Sequence, residues 1–149
     1  MIWAAFGYHG KTDLYFINNN LDSKGYIRIL RKKLLPNSKK IRGKNWIFQQ
    51  DNSKIHTSGL VEDWFCKKGI EVLDWPSSSP NLNPIENLWG ILARRVYKKG
   101  RQFENKGDLE YQLIKTWEEI DSSELRTLID PMIRRLIDVI KNQGQKTKY

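Results

Sequence analysis

The chain has 149 residues, of which 39% are hydrophobic and six are tryptophan, enough for one domain with a buried core and too apolar for disorder. A formal charge of +9 points to a polyanionic partner, and the single cysteine, Cys66, excludes an internal disulfide. No apolar run approaches the roughly 20 residues that span a bilayer, and MIWAAFGYHGK lacks the basic leader and full apolar core of a signal peptide.

In chain order, Met1 to Phe6 and Asp13 to Ile17 are β-rich runs around GYHGKT, whose two glycines suit a hairpin turn. A strand that begins at the first residue, with no polar lead, raises the expectation of a lost upstream segment. Ser23 is placed to cap a helix through about Leu35. Tyr26, Ile27, Leu30 and Leu34 stand at helical spacing, and Pro36 is expected to lie past its end. After a basic connector, WIFQQD reads as a short strand ending at Asp51.

Thr57 or Ser58 is expected to cap the next helix. Its early acids are Glu62 and Asp63, its late bases Lys67 and Lys68, and Gly69 closes it. Leu60, Val61, Trp64 and Phe65 make its expected buried stripe, and the apolar pattern predicts a buried, inert Cys66. IEVLDW is a further strand with Ile70 and Val72 on one face and Leu73 on the other, stopped by Pro76. A helix follows from about Pro84 to Lys99, with Ile85, Leu88, Trp89, Leu92 and Val96 on one face and Gly100 at its end. Two more helices are expected near Lys106–Ile120 and Ser122–Lys141, and residues 142–149 form a basic polar tail. Strands separated by helices predict an α/β class, a single domain over residues 1–141, and chemistry where strands end and helices begin.

Asp51 and Glu86 occupy two such places. Glu86 at the third helical position, after Asn83 and Pro84, completes an Asn-led capping box, which requires no chemistry. Asp51 is crowded by Gln49, Gln50, Asn52 and His56. It reads either as an Asx turn leaving the strand or as one carboxylate of a divalent-metal site. A two-metal phosphoryl-transfer centre needs carboxylates from separate elements, with ions about 3.5 to 4 Å apart. His56 could support such a site or contact phosphate, Asp74 could assist it but reads first as a strand-end solvent position, and His9 reads as a solvent position. Seven Lys or Arg and no acid lie between Arg31 and Lys44. Lys39, Lys40, Arg42 and Lys44 from that run are candidate phosphate contacts, with Arg94 and Arg95 on a second basic face.

Together, IFQQDNSKIHT and VLDWPSSSPNLNPIENLWGILARRV resemble the catalytic core of Tc/mariner-type transposases, which are DDE recombinases. Thirty-four residues separate Asp51 from Glu86, the spacing of one branch of that family. The hairpin and the YIRILRKKLLP helix resemble the segment preceding those motifs. The resemblance implies a ribonuclease H-like fold, with a central mixed sheet flanked by helices. It implies Mg²⁺ or Mn²⁺ held by Asp51 and Glu86 as the second and third carboxylates of a triad. It further implies cleavage at transposon ends, strand transfer into target DNA and action in the nucleus, and it leaves homodimerisation open. Asn81, Ser53 and Lys54 depart from the Asp, Ala and Pro common in the family.

The family's first Asp lies on a strand upstream of the hairpin, so the resemblance also implies a truncated domain, without its first strand and impaired alone. The competing expectation is a basic nucleic-acid-binding module without catalysis.

Overall fold

A computed structural model describes residues 1–18, 20–41, 43, 46–74 and 82–141. Pro76, the rest of the loop through Asn81, Arg42, Lys44 and the tail at 142–149 lie outside the described residues.

The opening runs form β1 (Ile2–Trp3), β2 (Phe6–Gly7), β3 (Gly10–Lys11) and β4 (Tyr15–Phe16). Ile2 pairs with Phe16 and Trp3 with Tyr15, whereas Phe6 pairs with Lys11 and Gly7 with Gly10. Between these ladders, Ala4 and Ala5 face Thr12, Asp13 and Leu14, so the return strand carries one extra residue, a β-bulge. Thr12 holds the bulge closed. Its amide donates to the Ala5 carbonyl at 2.8 Å, and its buried hydroxyl accepts the Ala5 amide at 3.0 Å. Gly7 is required by close approach, because a Cβ there would lie 2.2 Å from the Ile41 carbonyl oxygen.

Successive side chains of a strand point to opposite faces, and here that alternation separates two cores. Trp3 and Ala5 pack into one, Ala4 and Phe6 into the other. The first core is covered by α1 (Ser23–Ile29), α2 (Leu35–Ile41) and α3 (Gly59–Lys67). The second is covered by α4 (Pro84–Val96), α5 (Lys106–Glu118) and α6 (Ser122–Ile129), with α7 (Met132–Lys141) after them. Leu30, Leu34 and Leu88 are fully buried, each stabilising the fold by about 1.5 to 3 kcal/mol. On the second face, the Trp117 indole donates to the Thr12 carbonyl at 2.8 Å and stacks on Trp89.

Several expected helix ends move. Asp22, not Ser23, caps α1, its carboxylate accepting the Gly25 amide at 2.7 Å. The helix does not stop before Pro36. Leu30–Leu34 widens into a π-helical turn, in which the Leu35 amide bonds to the Leu30 carbonyl, and α2 then runs to Ile41. Proline lacks a donor and crowds the carbonyl four residues back; the wider turn resets those carbonyls before Pro36 arrives.

Ser58 occupies the N-cap of α3 but makes no side-chain cap, its hydroxyl donating to Ser23 Oγ instead. Gly69 closes α3 as expected, with φ at +60° and the Ile70 amide bonded to the Phe65 carbonyl. Val61, Trp64 and Phe65 are buried, but Leu60 is exposed, and Cys66 is exposed too, contrary to expectation. At about 3.6 residues per turn, Cys66 falls nearly opposite that stripe and Leu60 on its margin.

The last expected helix is two, α6 and α7, because Pro131 has no N–H with which to continue the first. A capping box does form, at Asp121 and Glu124 on α6. The one expected at Asn83 and Glu86 does not: Asn83 sits at the N-cap of α4 without a side-chain cap bond.

The sheets are small and mixed in sense, two two-stranded antiparallel ladders and one isolated parallel bridge among the described residues. Antiparallel pairs build the hairpin, while Phe48 and Val72 form a parallel bridge through bonds of 2.8 Å from Phe48 to Glu71 and from Leu73 to Phe48. Ile70 is buried and Leu73 exposed, the alternation expected of that segment.

Candidate catalytic and metal-binding site

Because the Phe48 and Val72 segments run parallel, both emerge at the same edge, and Asp51 and Asp74 follow at their ends. α4 starts near that edge. The side-chain amide of Gln49 donates to the Leu82 carbonyl at 2.8 Å, joining the strand of Asp51 to the residues that enter α4. Glu86 lies in the first turn of α4, where the helix dipole favours an anion. The two segments singled out in the sequence are thus tied together, two residues from one carboxylate and four from the other.

The two carboxylates are held differently. Asp51 Oδ1 receives the Ser53 amide at 3.1 Å and stands 2.5 Å from His56 Nδ1. The Ser53 contact is the Asx turn expected as the structural alternative, and it leaves most of the carboxylate exposed. Burial pushes the Asp51 carboxyl up, but the Ser53 amide and the His56 ring outweigh it and hold the pKa below the ordinary value. Its side chain nonetheless remains 56% exposed. Glu86 is exposed and has no side-chain hydrogen bond or ion pair among the described residues.

Tyr26, which carries no motif, joins Gln50 and His56 of the Asp51 motif in building the Asp51 corner. The Tyr26 phenol, buried and therefore pushed far up in pKa, donates to Gln50 Oε1 at 2.9 Å. Gln50 Nε2 donates to the His56 carbonyl at 3.0 Å, and the His56 ring lies 4.0 Å from the Tyr26 ring. At the other corner, buried Arg135 of α7 donates to Asn87 Oδ1 at 2.7 Å and so holds the residue after Glu86. These contacts join residues 24 and 48 positions apart. The local signal is the crowding of Gln49, Gln50, Asn52 and His56 beside Asp51, and nothing local marks Tyr26 or Arg135.

Of the expected DNA contacts, Lys39 and Lys40 on α2 and Arg94 on α4 are exposed, beside exposed Arg31 and Lys32. Arg95 is committed elsewhere: its guanidinium forks onto the Glu124 carboxylate, one of the two bonds at 3.2 Å. His56 is turned toward Asp51, with only 18% of its side chain exposed, which disfavours the phosphate contact expected of it. His9 and Asp74 are exposed, as expected.

As donors, Asp51 and Glu86 suit a hard divalent cation, being exposed carboxylates on separate elements. They fit as part of a ligand set. Among the described residues no group of three or more His, Cys, Asp or Glu is gathered to hold an ion. No helix among the described residues is long and apolar enough to cross a membrane.

Comparison with known proteins adds three findings. The family model for DDE superfamily endonuclease matches residues 1–110. The Tc3 transposase of Caenorhabditis elegans is 38% identical over the whole chain, and the Tcb1 transposase of Caenorhabditis briggsae also 38%. The chain spans about half the length of these relatives, 45% and 54%. The crystal structure of the catalytic domain of Mos1 mariner transposase superposes with a TM-score of 0.73, covering 99% of this chain and 82% of that one, at 19% identity. The Mos1 mariner paired end complex with Mn gives 0.77, over 97% of this chain and 44% of that one, at 18% identity. The shared fold is ribonuclease H-like.

Proposed function

The chain belongs to the DDE superfamily endonucleases as a Tc/mariner-type transposase domain, and we propose that it acts on DNA in cut-and-paste transposition. The observation that carries this reading is the Gln49–Leu82 bond, which ties the strand end bearing Asp51 to the helix start bearing Glu86. That bond supports the reading because phosphoryl transfer demands carboxylates from separate elements brought near one another.

Asp51 and Glu86 would hold Mg²⁺ or Mn²⁺, in keeping with structures of the Mos1 catalytic domain that contain either metal. The bound cation supplies activation of water or a 3′-hydroxyl and neutralises charge at the leaving oxygen. The chain's own contribution is orientation. The Ser53 amide and His56 fix the Asp51 carboxylate, and Arg135 steadies Asn87 beside Glu86. Exposed Lys39, Lys40 and Arg94 would neutralise phosphates and position the duplex. With no third acid gathered beside the pair among the described residues, we expect the chain alone to cleave weakly. Nuclear DNA as the substrate and a homodimer holding two transposon ends complete the reading.

Supercoiled plasmid incubated with Mn²⁺ tests it. Weak nicking that disappears in both Asp51→Asn and Glu86→Gln supports it, and nicking that survives both substitutions contradicts it. The same absence of a third acid favours a second reading, a DNA-binding module without catalysis. That reading is selected if no nicking occurs while DNA binding weakens steeply with salt and ignores Mg²⁺ and Glu86→Gln.

A further inference from the structure

We propose that His56 is a positioning residue for Asp51, locked in place by a clamp that α1 supplies. The inference rests on the metal-binding role of Asp51 stated above and identifies what sets that carboxylate's direction.

A lone histidine on a turn would sample several rotamers and point its nitrogens into water. Here His56 is held at its ring, its carbonyl and Nδ1. Its ring lies on the Tyr26 ring at 4.0 Å, the planes 32° apart. Its carbonyl accepts Gln50 Nε2 at 3.0 Å, and the same amide's Oε1 accepts the Tyr26 hydroxyl at 2.9 Å. Tyr26, Gln50 and His56 therefore close a ring of contacts. Tyr26, only 1% exposed, is its fixed point.

The turn carrying His56 is anchored a second time on the same helix. Ser23 Oγ donates to the Ile55 carbonyl at 3.3 Å, and Ser58 Oγ meets Ser23 Oγ at 2.8 Å. The first turn of α1, capped by Asp22, thus backs the whole segment from Ile55 to Ser58. What the clamp presents is Nδ1, 2.5 Å from Asp51 Oδ1. A carboxylate oxygen can only accept, so the imidazole carries its proton on Nδ1 and donates it. The Ser53 amide reaches the same oxygen at 3.1 Å. Both contacts fall on Oδ1 while more than half of the side chain stays exposed, so the carboxylate is fixed from behind and open in front. Groups of this kind, which hold a ligand without touching the metal, are commonly worth about 10- to 100-fold in metal affinity.

Two measurements on the folded chain test the clamp. The first is Mn²⁺ affinity from the electron paramagnetic resonance signal of the free ion. His56→Ala is expected to weaken binding by about 10-fold or more. His56→Asn, whose amide N–H can stand where Nδ1–H stands, restores most of it. Tyr26→Phe, which keeps the ring and removes the hydroxyl, falls between. Equal affinity in wild type and His56→Ala, with Asp51→Asn still weakened, overturns the proposal. Wild type and Asp51→Asn binding alike would instead overturn the metal role of Asp51.

The second measurement needs no metal. Long-range ¹H–¹⁵N correlations of the His56 ring should show the proton on Nδ1 in wild type and a changed pattern in Asp51→Asn. A neutral ring protonated on Nε2 overturns the proposal whatever the metal result. Thermal unfolding of His56→Ala and His56→Asn separates a positioning role from simple loss of fold, because the two are expected to melt alike while binding Mn²⁺ differently.

Discussion

The corner around Asp51 and the corner around Glu86 sit on the two sides of one hairpin and are built on opposite plans. Asp51 is gripped: its oxygen meets His56 and Ser53, and Tyr26 and Gln50 fix His56 in turn. Glu86 is carried rather than gripped. Its helix is anchored by fully buried Leu88 and by Arg135 on Asn87, while the carboxylate itself stands exposed. The difference teaches where order was installed. One carboxylate is held in direction by its neighbours, and the other is placed by its helix and stands exposed.

Predictions that break or sharpen this contrast run from large to small. Leu88 has no exposed surface in the second core. Leu88→Ala should cost about 2 to 5 kcal/mol in chemical denaturation, since its side chain is fully buried in that core on the helix that carries Glu86. Thr12 sits in the wall between the cores and accepts the buried Ala5 amide. Thr12→Val keeps the shape and removes that acceptor, so a loss of about 1 to 3 kcal/mol is expected, read as an earlier urea midpoint at unchanged slope.

On the Asp51 side, Asp22→Ala removes the cap of the helix that backs His56. It should cost about 1 kcal/mol. Glu86→Gln should shift stability by no more than about 0.5 kcal/mol, because an exposed and ungripped carboxylate contributes little to the fold. A large loss there would erase the contrast.

The smallest effect concerns pH. The folded pKa of Asp51 is lowered, so its contribution to stability is fully present above the ordinary carboxylate range, about 4, and is lost as acid protonates the folded form. Its partial exposure keeps that contribution small. Stability measured from pH 5 downward should fall less steeply in Asp51→Asn than in wild type, whereas parallel slopes would count against the grip.

The positions of the carboxylates were legible in the sequence because strand ends and helix starts carry local signals. WIFQQD ends where apolar residues give way to polar ones, and Asn83–Pro84 opens a helix whatever Glu86 does. What went unseen was non-local or depended on geometry between elements. Tyr26 read as one more apolar position of a helix, and nothing local links it to Gln50 and His56. Pro36 looked like a stop because a π-helical turn cannot be read from residue types. Cys66 was expected inside because composition does not reveal how narrow a buried stripe is, and only three residues of α3 face the core. The capping box expected at Asn83 and Glu86 is absent, and one forms instead at Asp121 and Glu124, where the Glu124 carboxylate also takes the Arg95 guanidinium.

The central claim, that Asp51 and Glu86 jointly face one cation, is tested most directly by paramagnetic broadening of backbone amide signals as Mn²⁺ is added. The account predicts that signals around Asp51 and around Glu86 broaden together at the lowest Mn²⁺ additions, and that Asp51→Asn or Glu86→Gln weakens both sets at once. Broadening confined to one of the two segments, or centred on other acids such as Asp74 or Asp121, would contradict it.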